Sequence, residues 1–340
     1  MFANKTIAVV VPCYNEQAQI DRVLVTMPDF VDCIIVVDDK SPDDTVGVVR
    51  RRIEAGGHPG RIILLQHEKN RGVGAAIVSG YKEAVRQGMD VAAVMAGDGQ
   101  MDPNQLHLLV GPVAGGQADY AKANRLFYAG AWGSIPRHRY MGNAFLSMLT
   151  KIASGYWHVA DSQSGYTAIS REALEILNLD AIYPRYGYPN DLLVRMNVYD
   201  FRVADVHMRP VYNVGERSKM PLLKVGPVMT WLIFRRFCWR MKHKYVIRDF
   251  HPLVLFYLFG SISFTAGLLF GLYLLVYRIA IGRVADTSGL FSVLLFTSGL
   301  QLLLFAMWFD MAVNRHLRVD AEPESPLKFR PDSAPAEREK

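Results

Sequence analysis

The sequence predicts an α/β domain built on a mostly parallel sheet, followed by a membrane hairpin of two helices. Three observations carry that expectation. Short apolar runs alternate with amphipathic helical patterns through the first hundred residues, two long apolar runs follow each other near the far end, and the excess positive charge sits immediately before them. The chain of 340 residues is 51% hydrophobic with a mean hydropathy of +0.10. That is high for a soluble enzyme and low for a polytopic transporter, as a mixture of the two would be.

The strand-like runs are residues 7–11, 33–37, 61–65 and 91–95, and helical patterns at 17–27, 45–55 and 74–87 separate them. Apolar strands joined by amphipathic helices read as a doubly wound sheet covered on both faces. Ligands in such sheets sit at the carboxyl ends of the strands, so the loops after Val11, Val37 and Met95 are where chemistry is expected. The first run stops at Pro12, which does not fit a secretory leader. Cys13, Cys33 and Cys238 lack metal or disulfide spacing, and a reducing compartment is the simpler reading.

Residues 253–279 and 290–308 are nearly all apolar. Each is long enough to cross a hydrocarbon core, which takes about 20 helical residues. Acidic and basic residues balance over 1–220 and again over 251–340. Residues 221–250 hold Lys224, Arg235, Arg236, Arg240, Lys242, Lys244 and Arg248 against Asp249, which accounts for the whole net charge of +6. Trp231, Phe234, Phe237 and Trp239 share that stretch. This mixture beside a span points to a membrane-surface helix rather than to nucleic acid. Basic residues flank the hairpin on its outer sides, and the positive-inside bias puts both termini in the cytoplasm. The expected divisions are a catalytic unit at 1–220, juxtamembrane helices at 221–251, two spans within 252–313 and a disordered tail at 320–340.

The loops themselves are unusual. The first strand runs into Pro12-Cys13-Tyr14-Asn15-Glu16 and the second into Asp38-Asp39-Lys40-Ser41-Pro42-Asp43-Asp44-Thr45. An acidic pair at a strand end can accept from a base or ribose, or can cap the next helix, as Ser41 or Asp43 also could. Asn70-Arg71-Gly72-Val73-Gly74 enters a helix whose N-terminus would favour a diphosphate. It matches neither a P-loop nor a dinucleotide fingerprint, which excludes a Rossmann dehydrogenase. In Gly97-Asp98-Gly99-Gln100-Met101-Asp102-Pro103, a carboxylate followed two residues later by a carboxamide suits a divalent cation that takes other oxygens from phosphates. Asp102, before Pro103, reads as a helix cap instead.

Taken in order, these four motifs resemble glycosyltransferase family 2, and more closely its dolichyl- and polyprenyl-phosphate sugar synthases; the resemblance covers about residues 5–220. It implies a GT-A fold, a nucleotide-sugar donor linked to UDP or GDP, Mg2+ or Mn2+, and inversion at the anomeric carbon. By motif position Pro12, Tyr14, Glu16, Asp38 and Asp39 would line the nucleoside pocket, Arg71 would lie near the nucleotide, and Asp98 with Gln100 would hold the metal. The family usually carries Asp-x-Asp, and here Ala96 replaces the first carboxylate, which bears on sugar preference.

The same resemblance marks an acceptor half. Asn124-Arg125 follows an expected strand at 118–123, Arg139 opens an amphipathic segment at 137–152, and Asp161 to Tyr166 form a family-like turn that includes Ser164. Arg125, Arg139, Ser164, Arg202, Arg217 and Lys219 are the resulting candidates for a lipid phosphate. Asp191 falls where many members carry an acidic catalytic residue, either as a base or as a positioner of the acceptor or of an arginine. The expected reaction is sugar transfer to a polyprenyl or dolichyl phosphate at the cytoplasmic membrane face, and the resemblance is compatible with a homo-oligomer packed through the spans. Two other readings are a family 2 transferase acting on a glycan or glycolipid hydroxyl and a catalytically degenerate membrane scaffold. The hydroxyl-acting enzymes usually carry a Gln-x-x-Arg-Trp element and more spans; neither is present in this sequence.

Overall fold

A computed structural model describes residues 1–56, 61–126, 137–209 and 222–320. Its centre is an eight-stranded sheet in the order β3-β2-β1-β4-β6-β5-β7-β8. The strands are β1 (Ile7–Cys13), β2 (Cys33–Asp38), β3 (Arg61–Gln66), β4 (Val91–Val94), β5 (Tyr120–Asn124), β6 (Thr167–Ser170), β7 (Val203–His207) and β8 (Arg318–Val319). Only β6 runs against its neighbours. The other strands therefore end at one common edge.

The alternation of side chains explains the two layers on this sheet. Ile7, Val9 and Val11 face one way, against α1 (Ile20–Val25), α2 (Thr45–Ala55) and α4 (Leu106–Ala114). Ala8 and Val10 face the other way, against α3 (Val73–Arg86), α6 (Arg171–Ile176) and α7 (Tyr188–Val198). With both faces covered, every residue of β1 and β2 is buried. The first helix is shorter than the expected 17–27 because the residues ahead of it donate their amides to the loop after β2.

Beyond the sheet, α5 (Arg137–Ser154) packs against α8 (Leu222–Lys242), which continues through a π-helical turn at His243–Arg248 into α9 (Leu253–Ala280) and α10 (Asp286–Val313). The last two helices have 28 residues each and are only 22% and 17% buried over their most apolar windows. Core helices of a soluble protein would be mostly covered, and these are not. At about 1.5 Å per residue they exceed a core of about 30 Å, which leaves room for tilt or protruding ends. They pack through glycines: a Cβ on Gly267 would lie 2.4 Å from the Phe296 nitrogen, and one on Gly299 2.2 Å from that of Phe264.

Two features depart from the sequence reading. The chain returns after the second of these helices and adds β8 beside β7, pairing Arg318 with Val203 and Val319 with Ala204. The basic stretch is also not one solvated patch. Arg236, Arg240, Lys244 and Arg248 pair with Asp191, Asp310 and Asp200, while Arg235 and Lys242 remain exposed, as do Trp231 and Phe234. The expected tail falls almost wholly outside the described residues.

Candidate active site

The loops after β1 and β2 are stitched together at the carboxyl edge of the sheet. Asn15 donates its amide to Ser41 Oγ at 3.0 Å, Glu16 to Thr45 Oγ1 at 3.0 Å, and Gln17 to Asp43 Oδ2 at 3.0 Å. The return contact runs from the Asp44 amide to Gln17 Oε1. Asn15 and Lys40 take the left-handed conformation these tight loops need, with φ of 59° and 63°. Pro12 is buried within β1, whereas Tyr14 stands 42% exposed on the rim and Glu16 is half-buried. Asp38 turns its carboxylate onto the Ser41 amide.

Asp39 has a different task from the one its motif suggests. Its Oδ1 accepts from the Arg71 amide at 2.8 Å and lies 2.7 Å from His67 Nδ1, and its Oδ2 accepts from the Gly72 amide at 2.7 Å. The carboxylate is buried and ties the loop after β2 to the loop after β3, so it braces the pocket instead of lining it. The glycines that follow are corrected in the same way. A Cβ on Gly72, whose φ is +95°, would stand 2.6 Å from the Pro184 carbonyl oxygen, and one on Gly74 would stand 2.4 Å from that of Tyr183. The Ala75 amide donates to the Pro184 carbonyl. These glycines make room for residues 183–185, and the Gly72 and Ala75 amides at the start of α3 are given to Asp39 and Pro184.

The loop after β4 lies against β1. Gly97 donates to the Pro12 carbonyl at 3.3 Å, and a side chain on it would meet Cys13 Sγ at 2.7 Å. Asp98 Oδ1 accepts from the Gln100 amide at 3.0 Å across Gly99, whose φ is +73°. Asp102 caps the next turn through the Asn104 amide, with Pro103 in the first position. Asp102 is thus the cap, as expected. Ala96 donates its amide to Met101 Sδ, and no carboxylate stands in its place. Four acids converge here: burial, then Glu16, Asp38, Asp98 and Asp43, push the Cys13 thiol well above its usual range. Among the described residues no three His, Cys, Asp or Glu side chains form a cage for an ion. A half-buried carboxylate in an acidic pocket still fits a cation that fills its shell from water and substrate phosphates.

Among the residues expected at an acceptor, Arg125 Nε meets Asp161 Oδ2 at 2.7 Å; the arginine is 30% exposed and the aspartate wholly buried. Burial pushes Asp161 up, but Arg125 and Lys122 outweigh it and hold the carboxyl below its usual range. Lys122, also buried, donates to the carbonyl of buried Ser164; desolvation lowers its ammonium to about 7. Lys122 was not singled out from the sequence, although a lysine among the apolar residues of β5 is a visible signal.

Asp191 is fully buried. Its Oδ1 lies 2.6 Å from Arg236 Nε and 3.1 Å from Arg195 Nε, and its Oδ2 accepts from the Tyr183 amide at 2.6 Å. Burial raises its carboxyl, with Arg195 and Arg236 opposing. This engagement of both oxygens favours the arginine-positioning role over that of a base. Arg202 lies just ahead of β7, at the opposite edge of the sheet, and is held by Asp119 and the Gly116 carbonyl. It is separated from the donor loops by the length of the strands and leaves the acceptor set. Arg217, Lys219 and the side chain of Arg139 lie outside the described residues.

The family model of glycosyl transferase family 2 matches residues 8–177. The chain is 29% identical over 234 residues to the UDP-N-acetylglucosamine–dolichyl-phosphate N-acetylglucosaminyltransferase of Methanococcus voltae, covering 66% of this chain and 93% of that one. It is 30% identical over 214 residues to the undecaprenyl-phosphate mannosyltransferase of Micrococcus luteus, covering 62% and 86%. Among solved structures, glucosyl-3-phosphoglycerate synthase from Mycobacterium tuberculosis, in complex with Mn2+, UDP and its product, aligns with a TM-score of 0.51 at 24% identity, covering 70% and 80%. That likeness speaks for the GT-A-like fold alone. With its strand-end loops gathered on one edge of such a sheet and its family model matched over half its length, the chain belongs to glycosyl transferase family 2 and is a glycosyltransferase.

Proposed function

We propose that this enzyme transfers a sugar, with inversion, from a UDP- or GDP-linked donor to a polyprenyl or dolichyl phosphate at the cytoplasmic face of a membrane. The observation that carries the reading is the joining of the catalytic sheet to a two-span hairpin from both sides, through α8 and through β8. The lipid-phosphate names of its relatives support the acceptor class.

Tyr14, Glu16 and Asp38 flank the nucleoside, with Asp39 and Arg71 shaping the loop behind them. Asp98, with Gln100, holds Mg2+ or Mn2+, which when bound supplies charge stabilisation to the departing diphosphate. A lipid-phosphate oxygen attacks the anomeric carbon as the bond to the nucleoside diphosphate breaks on the opposite side. A phosphate monoester is mostly dianionic at pH 7, so it needs no base, in keeping with the internal pairing of Asp191. Arg125 offers a guanidinium to the acceptor while Asp161 fixes its direction, and Arg139, Arg217 and Lys219 remain in the proposed acceptor set. Pairing of β8 with β7 returns the chain to the catalytic side after the second span, and the positive-inside bias assigns that side to the cytoplasm.

The test is a panel of radiolabelled UDP- and GDP-sugars with the full chain in membranes and either undecaprenyl or dolichyl phosphate. Label should pass into organic solvent with one donor. Label transferred only to a glycan or glycolipid hydroxyl, or nucleotide bound without transfer, would overturn the reading in favour of the hydroxyl-acting enzyme or the scaffold.

A further inference from the structure

Arg236, Arg240, Lys244 and Arg248 recur at every fourth position along α8 and the turn that follows it, so they form a stripe. Each reaches another part of the chain. Arg236 holds Asp191 of α7. Arg240, wholly buried, forms a two-pronged pair with Asp310 near the end of the second span, 2.9 Å to each oxygen, and donates to the Ile152 carbonyl of α5 at 3.0 Å. Lys244 donates to the Asn197 carbonyl at 2.8 Å and to Asn314 Oδ1 at 2.9 Å, and lies 2.8 Å from Asp200. Arg248 reaches Asp200 and the Val198 carbonyl.

Asp310 is the centre of this node. It is fully buried and also accepts from Tyr245 Oη at 2.8 Å and from Trp157 Nε1 at 3.3 Å. Gly155 adopts φ +77°, and a Cβ there would lie 2.3 Å from Arg240 Nη1, so the catalytic backbone makes way for that guanidinium. Catalytic domain, juxtamembrane helix and second span therefore meet at one dry ion pair. A buried ion pair is a weak source of stability compared with apolar packing of the same size. Its two-pronged geometry does fix direction, whereas apolar contacts allow sliding.

We infer that the Arg240–Asp310 node sets the height and tilt of the donor site above the bilayer, and so selects phosphates carried on a membrane lipid over freely soluble ones. The selectivity rests on the lipid-phosphate reading above. A lipid phosphate is confined to the headgroup plane and cannot follow a displaced site, while a soluble phosphate can. Misplacement by about 1 Å can cost as much as about a hundredfold in rate.

The experiment uses the full chain in nanodiscs. Arg240→Lys keeps the charge but loses the fork, and Arg240→Met/Asp310→Leu removes both charges, leaving neither unpaired. The donor found by the panel is used with undecaprenyl phosphate and with a short water-soluble prenyl phosphate. In parallel, Lys69→Cys, on the exposed loop at the donor edge, carries a fluorophore in a Cys238→Ser background, and energy transfer to a headgroup dye reports height. Cys13 and Cys33 are buried and do not compete for label. Both node variants should shift the transfer and lower kcat/KM for undecaprenyl phosphate by about tenfold or more, with the soluble acceptor held within about threefold. Unchanged transfer, or equal losses on the two acceptors, would overturn the inference. If the unaltered chain uses neither phosphate, the acceptor reading fails by itself and transfer still judges the node.

Discussion

Arg236 Nε lies 2.6 Å from Asp191 Oδ1, so a residue of α8 closes over the carboxylate that the motif marks as catalytic. The pairing changes what a substitution there should do. Asp191→Ala leaves Arg195 and Arg236 facing an apolar gap and should cost about 3–5 kcal/mol of stability. Asp191→Asn should destabilise in the same direction while leaving the pH profile of kcat for the folded enzyme unchanged. Thermal unfolding alongside acceptor kinetics checks this, and a native-like melting point with lost kcat would restore Asp191 as a base.

Asp98 is half-buried and accepts from the Gln100 amide across its own loop. Asp98→Asn should abolish turnover and the Mn2+-dependent part of nucleotide binding with little change in melting. Calorimetry with UDP and GDP, with and without Mn2+, measures the binding. Full activity in the variant would remove the metal assignment.

Gly72 separates packing from ligand binding. Its φ of +95° and the 2.6 Å approach to the Pro184 oxygen make Gly72→Ala destabilising by about 2 kcal/mol or more. Denaturant unfolding is the measurement. A variant of normal stability with a raised KM for donor would return this loop to the diphosphate.

His158 predicts an acid-sensitive term. Burial lowers its imidazole to about 4, and the ring lies 2.9 Å from the Val203 carbonyl. The unfolded chain takes up this proton near 6.5 and the folded one only near 4, so stability from His158 is complete above 6.5 and is lost as pH falls to 4. Asp205, raised to about 6 by burial, acts in the opposite direction between 3.8 and 6. The difference between the unaltered chain and His158→Gln isolates the histidine: it should change by a few kcal/mol across that window. A parallel pair of pH-stability curves would rule the effect out.

Much of the fold was legible because it depends on local pattern. Ile7, Val9 and Val11 against Ala8 and Val10 already state a strand covered on both faces, and Asp102 before Pro103 already states a cap. The carboxyl-edge position of Asp98, Glu16 and Asp38 follows from strand order alone. Arg202 entered the acceptor set by motif likeness, which does not tell which edge of the sheet a residue joins. Asp39 was misread because its partners, the Arg71 and Gly72 amides, come from a loop more than thirty positions away.

By itself the sequence determined that the chain carries a doubly wound α/β sheet and two apolar runs of membrane length, since burial periodicity and run length are properties of contiguous residues. It also located the charge excess. Only the tertiary structure decided how that charge is used. Arg236, Arg240, Lys244 and Arg248 find Asp191, Asp310 and Asp200 across the fold, and a cation withdrawn from water must be paired where it lies. Counting charges along a chain gives their number and neighbourhood; folding selects their partners.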